Sequence, residues 1–306
     1  MVPAPRFRRV AALQRSFVDR ETVLDDFMAE LGRIGGGPRI FNVTGVGGIG
    51  KSRLLRELKD RAADRHRTAT LDLQIPALRQ QEDALAVLRS ELGSQGVHFD
   101  RFDIAYAVMW QRLHPHLRLD RSELAFLESS SILTDIVDTV SGLPLFGTAR
   151  GLLRILERGT SDVRRRSRVR RDATLQTLDE LPNSELGDAV TFLFAEDLRD
   201  GSGDKPYVLF IDTYEALVPA PMRSGRASLA DAWLRDLIAQ LDTGLVVVAS
   251  REPLRWEIDD PEWAEIIRVC RVDGLPMPAR LALLENGGIT EPARRRAIAE
   301  ASSGLP

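Results

Sequence analysis

Apolar residues recur at helical spacing between Arg20 and Leu31, where Val23, Leu24, Phe27 and Leu31 would share one face. "GGGP" at 35–38 then interrupts the chain, and "RIFNVT" follows as a continuous apolar run of strand length. The next segment, "SRLLRELKDRAAD", returns to helical periodicity, and "TATLDLQ" from Thr68 predicts a second strand that Pro76 ends. Residues 77–200 read as largely helical: "EDALAVLRSEL" and "FDIAYAVMWQRL" predict helices, and Leu186, Val190, Leu193 and Phe194 mark another. Beyond the turn "GSGDKP" lie "YVLFID", a helix striped by Trp233, Leu234, Leu237 and Leu241, then "LVVVASR", and finally "IIRVCRV" from Ile266. Strand runs without polar alternation are covered on both faces. The expected class is therefore α/β, a doubly wound, mostly parallel sheet with helices on each side.

Between the first strand and its helix stands "GVGGIGKS", which fits G-x-x-x-x-G-K-[ST]. Gly45, Gly47, Gly48 and Gly50 free the backbone for positive φ and remove the Cβ atoms that would hold a phosphate away from the amides. Val46 and Ile49 complete the loop. The amides and the positive end of the following helix form an anion cradle. Lys51 is one of only three lysines among 42 basic residues, the others being Lys59 and Lys205. In a chain so biased to arginine, a compact ammonium at this point reads as a phosphate ligand, and Ser52 offers a hydroxyl to Mg²⁺. The bland reading of the stretch is a glycine-rich turn.

Two later strand ends add chemistry. "YVLFIDTYE" closes on Asp212, placed to orient a magnesium shell, and Glu215 is the acid positioned to orient or deprotonate a water. "VVVASRE" places Ser250 and Arg251 at a strand tip, where such sheets bind ligands, and Arg251 could meet the γ-phosphate. A turn-starting Asp, an exposed glutamate and a surface arginine are the bland alternatives.

Composition narrows the classes. At 43% apolar and 28% charged residues the 306-residue chain is globular, and its net charge of −3 excludes a general attraction to nucleic acid or anionic lipid. "VRRRSRVRR" from Val163 holds six arginines in nine residues and reads as a solvated face or linker. "SILTDIVDTVSGLPLFG" carries Asp135 and Asp138 mid-run, so it is read as buried or amphipathic rather than membrane-spanning. The start lacks the apolar core of a secretory signal, and the single Cys270 suits a reducing, cytoplasmic setting. Neither "HPH" at 114–116 nor "ESSS" at 128–131 has the neighbours of a metal or nucleophile site.

Taken together, these motifs resemble the signal-transduction ATPases with numerous domains (STAND), P-loop relatives of the AAA+ and ORC-like ATPases that include NB-ARC and NACHT types. "GVGGIGKS" matches their phosphate loop, "VVVASRE" the strand ending in their sensor arginine, and "FVDRE" at Phe17–Glu21 their "FVGRE" motif. The last resemblance implies that Phe17, Val18 and Arg20 lie by adenine. "SSGLP" resembles the Gly-x-Pro motif of a small helical domain, which implies that Pro306 touches the base. The implied organisation is an NTPase domain over 1–275 with a helical insertion at about 77–200, then the beginning of a helical domain at 276–306, inside which the given sequence would stop. The family often has a second acid directly after the magnesium-orienting Asp; here Thr213 follows, which implies slow hydrolysis. The resemblance implies an ATP/ADP switch that uses Mg²⁺ and engages protein partners or itself on activation. Alternatives are a nucleotide-loaded scaffold without turnover and an ORC-like DNA-associated ATPase using the arginines at 164–171. No Asn-Lys-x-Asp guanine-reading motif is present, so adenine leads.

Overall fold

The computed structural model describes residues 20–116, 126–139, 148–156, 163–203, 205–218, 229–241 and 243–305. The chain opens with α1 (Glu21–Leu31), β1 (Ile40–Thr44), α2 (Lys51–Ala63) and β2 (Arg67–Asp72). A helical stretch follows: α3 (Gln81–Gly93), α4 (Asp100–Leu113), α5 (Ser131–Thr139), α6 (Ala149–Leu156), α7 (Val163–Arg170), α8 (Ala173–Thr177) and α9 (Asn183–Ser202). The chain then returns to the sheet with β3 (Tyr207–Asp212), α10 (Ala232–Gln240), β4 (Leu245–Ser250), the short α11 (Trp263–Ile266) and β5 (Ile267–Arg271). Two more helices, α12 (Met277–Asn286) and α13 (Pro292–Ala301), end the described chain.

The five strands form one all-parallel sheet in the order β2-β3-β4-β1-β5. Alternate side chains enter opposite layers, as the period of two requires. Phe41, Val43, Val208, Phe210, Val247 and Ala249 pack on α1 and α2, where Phe27 meets the rings of Phe41 and Phe210 at 6.0 and 6.3 Å. Ile40, Leu71, Leu209, Ile211, Val246 and Val248 face the other layer, built from α3, α4, α9 and α10. The expected α/β class, with helices on both faces, is what the chain adopts.

One strand departs from expectation. "IIRVCRV" reads as another covered strand, yet β5 sits at the sheet edge with Arg268, Val269 and Arg271 exposed and Cys270 buried. Its apolar letters record a neighbour on one side only.

The helical stretch shares one continuous core with the sheet face that α3, α4, α9 and α10 cover. Nearly all of α4 from Arg101 to Gln111 is buried, which explains an apolar pattern that runs all round the helix. Asp197 Oδ2 accepts from the Arg101 and Phe102 amides, both at 2.8 Å, so a carboxylate from α9 supplies the α4 N-terminus with the acceptor it lacks. Arg89 is 2% exposed and grips Asp103 with two bonds of 2.8 Å, while Ser129 Oγ accepts from Nη1 at 2.7 Å. Within "SILTDIVDTVSGLPLFG", Ile132, Leu133 and Ile136 of α5 are buried, and residues 140–147 lie outside the described residues. Among the described residues no helix is long and apolar enough to cross a membrane. The side chains of Arg164 to Arg166 also lie outside them.

Candidate functional site

The loop between β1 and α2 is shaped by contacts that only glycine permits. A Cβ on Gly45 would stand 2.6 Å from the Val272 carbonyl oxygen, so β1 can run this close to the segment after β5 only without a side chain there. Gly50 caps α2 at φ 93°, a left-handed geometry that side chains resist. Between them Ile49 is 2% exposed and anchors the loop in the core, while Val46 at the tip is 63% exposed. The first amides of an α-helix have no acceptor within the helix, and α2 begins directly at the end of this loop.

Lys51 turns back over this loop. Its Nζ donates to Gly45 O at 2.6 Å and Val46 O at 3.1 Å, and the side chain is buried. Burial holds the ammonium's pKa below its ordinary value of 10.5; Glu215 and Asp212 pull it back up, and Arg251 pushes it further down. Lysine, two acids and arginine therefore share one electrostatic neighbourhood. The sheet order explains why: β4 lies between β1 and β3, so the residue after β4 stands between the loop and the acids. Arg251 Nε donates to Glu215 Oε1 at 2.9 Å, and its guanidinium lies 3.7 Å from where a Cβ on Gly47 would be.

Glu215 reaches this point through a strained turn. Thr213 has φ 59° and ψ 43°, a left-handed conformation costly for a β-branched residue, and the 3₁₀ turn Tyr214–Ala216 follows at once. Asp212 ends β3 opposite Asp72 of β2, with the Thr213 hydroxyl 3.4 Å from Oδ1. A serine hydroxyl with one aspartate suits Mg²⁺, which takes one or two protein oxygens and completes its shell with phosphate and water. Among the described residues no cluster of three or more His, Cys, Asp or Glu is arranged to hold a metal on its own.

No protein-family model matches the chain, and no curated protein sequence matches it.

The remaining expected residues divide. Arg20 stands at the start of α1, where its carbonyl accepts from Leu24 N at 3.1 Å. Phe17, Val18 and Pro306 lie outside the described residues. Leu305, just before Pro306, approaches the loop: its Cδ2 is 3.8 Å from the position of a Cβ on Gly48. Gly304 O accepts from Leu275 N at 2.9 Å, which ties this segment to the chain after β5.

Ser250 does not point its hydroxyl at the loop. It accepts from Asn42 Nδ2 at 2.9 Å and donates to Glu252 O at 2.6 Å. Asn42, wholly buried in the middle of β1, also donates to Val248 O at 3.0 Å and accepts from Leu254 N at 3.0 Å. It fixes both sides of the bend that carries Arg251. The only trace of this in the sequence is a polar letter inside an apolar run.

Proposed function

We propose that the chain binds ATP with Mg²⁺ at the 45–52 loop, as a P-loop NTPase of the STAND type, and hydrolyses it slowly to switch between ATP and ADP forms. The observation that carries this reading is the gathering of Lys51, Asp212, Glu215 and Arg251 at the C-terminal ends of the parallel strands β1, β3 and β4, around a loop of glycines. The loop amides and Lys51 would hold the β and γ phosphates, with Lys51 exchanging the Gly45 and Val46 carbonyls for phosphate oxygens. Ser52 and Asp212 would hold Mg²⁺, which neutralises phosphate charge. Arg251 would meet the γ-phosphate. Water attacks the γ-phosphorus, Glu215 takes its proton, and the bond to the β–γ bridging oxygen breaks, leaving ADP and phosphate.

Such contacts are sufficient for a switch. Reversing a 1:99 equilibrium requires about 5.5 kcal/mol of differential binding, and charge-assisted bonds contribute roughly 1.5–3 kcal/mol each. The test is nucleotide binding by purified protein and its Lys51→Ala variant. Loss of ATP affinity in the variant is expected, and equal affinity would refute the reading. A nucleotide-loaded scaffold without turnover is the second reading, and the Arg251–Glu215 pair favours it by engaging the candidate base. Phosphate release compared with Glu215→Gln separates the two. The partners that respond to the switch are proteins or further copies of the chain.

A further inference from the structure

We propose that Asp231 is a positioning residue for hydrolysis: its buried carboxylate gathers Tyr214 and Trp256 and so holds the two segments that bring Glu215 and Arg251 together. This rests on the ATPase reading above. Glu215 leaves β3 through the left-handed Thr213, a backbone state that the surroundings must impose. Arg251 sits on an irregular segment beyond β4, and exposed arginines on such segments are not self-orienting. Each segment carries an aromatic residue with a polar tip, Tyr214 beside Glu215 and Trp256 five residues after Arg251. Both tips end on one atom.

Tyr214 donates its hydroxyl to Asp231 Oδ2, while Trp256 Nε1 lies 3.1 Å from the same oxygen and 2.9 Å from the Tyr214 hydroxyl. Asp231 is 3% exposed and Trp256 4% exposed, so solvent does not compete for these bonds. Burial and the neighbouring carboxylate push the Tyr214 phenol's pKa up, so it keeps its proton and remains a donor. Trp263 backs the indole at 4.9 Å, edge to face, and Arg235 Nη2 lies 3.4 Å from Asp231 Oδ1. Asp231 itself is fixed at the start of α10, an element packed in the sheet's core. The acid thus ties both segments to α10, beside the Asn42 bonds that also hold the bend after β4. No atom of the triad need touch nucleotide.

The test is a double-mutant cycle on the full chain with Tyr214→Phe and Glu215→Gln, following ATP affinity, binding stoichiometry and phosphate release. Tyr214→Phe removes one hydroxyl and keeps the ring, and Trp256→Phe is the second variant should the first fold poorly. The expected result is one nucleotide per chain, ATP affinity within about 3-fold of wild type, and at least a 10-fold fall in turnover. In the Glu215→Gln background the same change should cost less than about 2-fold, because the residue being positioned no longer acts. Equal turnover in wild type and Tyr214→Phe overturns the proposal and leaves the ATPase reading standing. So does a Tyr214→Phe loss that persists in full beside Glu215→Gln. A wild-type protein that binds no ATP, or binds it and releases no phosphate, overturns the ATPase reading and the proposal together.

Discussion

Arg251 Nε stands 2.9 Å from Glu215 Oε1, although the two residues leave the sheet from different strands. The guanidinium is 61% exposed and the carboxylate only 13% exposed. A γ-phosphate beside Gly47 would therefore find a cation that is solvent-accessible and already in place, and would compete with Glu215 for it. Arg251→Ala should lower the preference for ATP over ADP by roughly 10- to 100-fold, the value of one charge-assisted contact of about 1.5–3 kcal/mol. Competition binding with both nucleotides measures this. An unchanged ratio would show that Arg251 does not read the γ-phosphate.

The pH dependence of binding should come from Lys51. Its pKa is lowered in the free protein, chiefly by burial, and phosphate oxygens would raise it again. Binding must then take up protons at alkaline pH, and affinity must fall as pH rises through the lowered Lys51 pKa. Free-protein stability has the opposite sign: between that lowered pKa and 10.5 the unfolded chain holds more protons, so stability rises with pH. Calorimetry in buffers of different ionisation enthalpy detects the uptake. Lys51→Met should abolish it along with most of the affinity.

Asn42 joins β1, the tip of β4 and the Leu254 amide. Asn42→Leu keeps the branched shape with bulkier ends and leaves at least the buried Leu254 amide without its acceptor, at a cost of about 1–3 kcal/mol per orphaned group. Urea unfolding should show a stability loss on the order of 2–4 kcal/mol. If the Arg251 bend depends on Asn42, the ATP-over-ADP preference should fall as well in the variant that remains folded. A destabilised variant with the wild-type preference would separate the two roles.

These relationships differ in how far a linear sequence can reveal them. The glycine loop is legible because its pattern is local: eight consecutive residues carry the glycines, the ammonium and the hydroxyl. Asp212 and Arg251 are legible as the first charged or polar ends of apolar runs. Asn42 and Ser250 are 208 residues apart, and their bond exists only because β4 is inserted beside β1. The same holds for Asp231, whose two partners lie on different sides of it in the chain. The exposure of β5 is a matter of sheet order too, and only Arg268 and Arg271 within "IIRVCRV" hint at an edge strand.

Gly45 gives a steric prediction. A methyl group there would meet a backbone carbonyl, that of Val272, at 2.6 Å, and neither β1 nor the segment after β5 can yield by rotating a side chain. Gly45→Ala should destabilise the chain by roughly 1–3 kcal/mol, as overpacking does, and widen the loop enough to weaken nucleotide binding. Gly47→Ala, which would meet only the Arg251 guanidinium at 3.7 Å, should retain near-native stability. Thermal unfolding of the two variants side by side checks the contrast.

Far from the loop, Arg89 and Asp103 test how the helical layer is held. Both are almost wholly buried, at 2% and 1% exposed side chains, and the guanidinium also lies 4.8 Å from the Phe126 ring centre. Burial pushes the Asp103 carboxyl up, and the bonds from Arg89 pull it down. Arg89→Met removes the opposing influence and leaves an acid in an apolar interior. The cost should be about 3–5 kcal/mol at neutral pH, as for other buried pairs broken on one side. In the variant the folded chain would keep a proton on Asp103 after the unfolded chain has released it. Its stability should therefore fall as pH rises above the ordinary aspartate range, a slope that Asp103→Asn in the same background should remove. Denaturant unfolding of the single and double variants between about pH 4 and 7 reads that slope directly. If the slope survives Asp103→Asn, another group sets it.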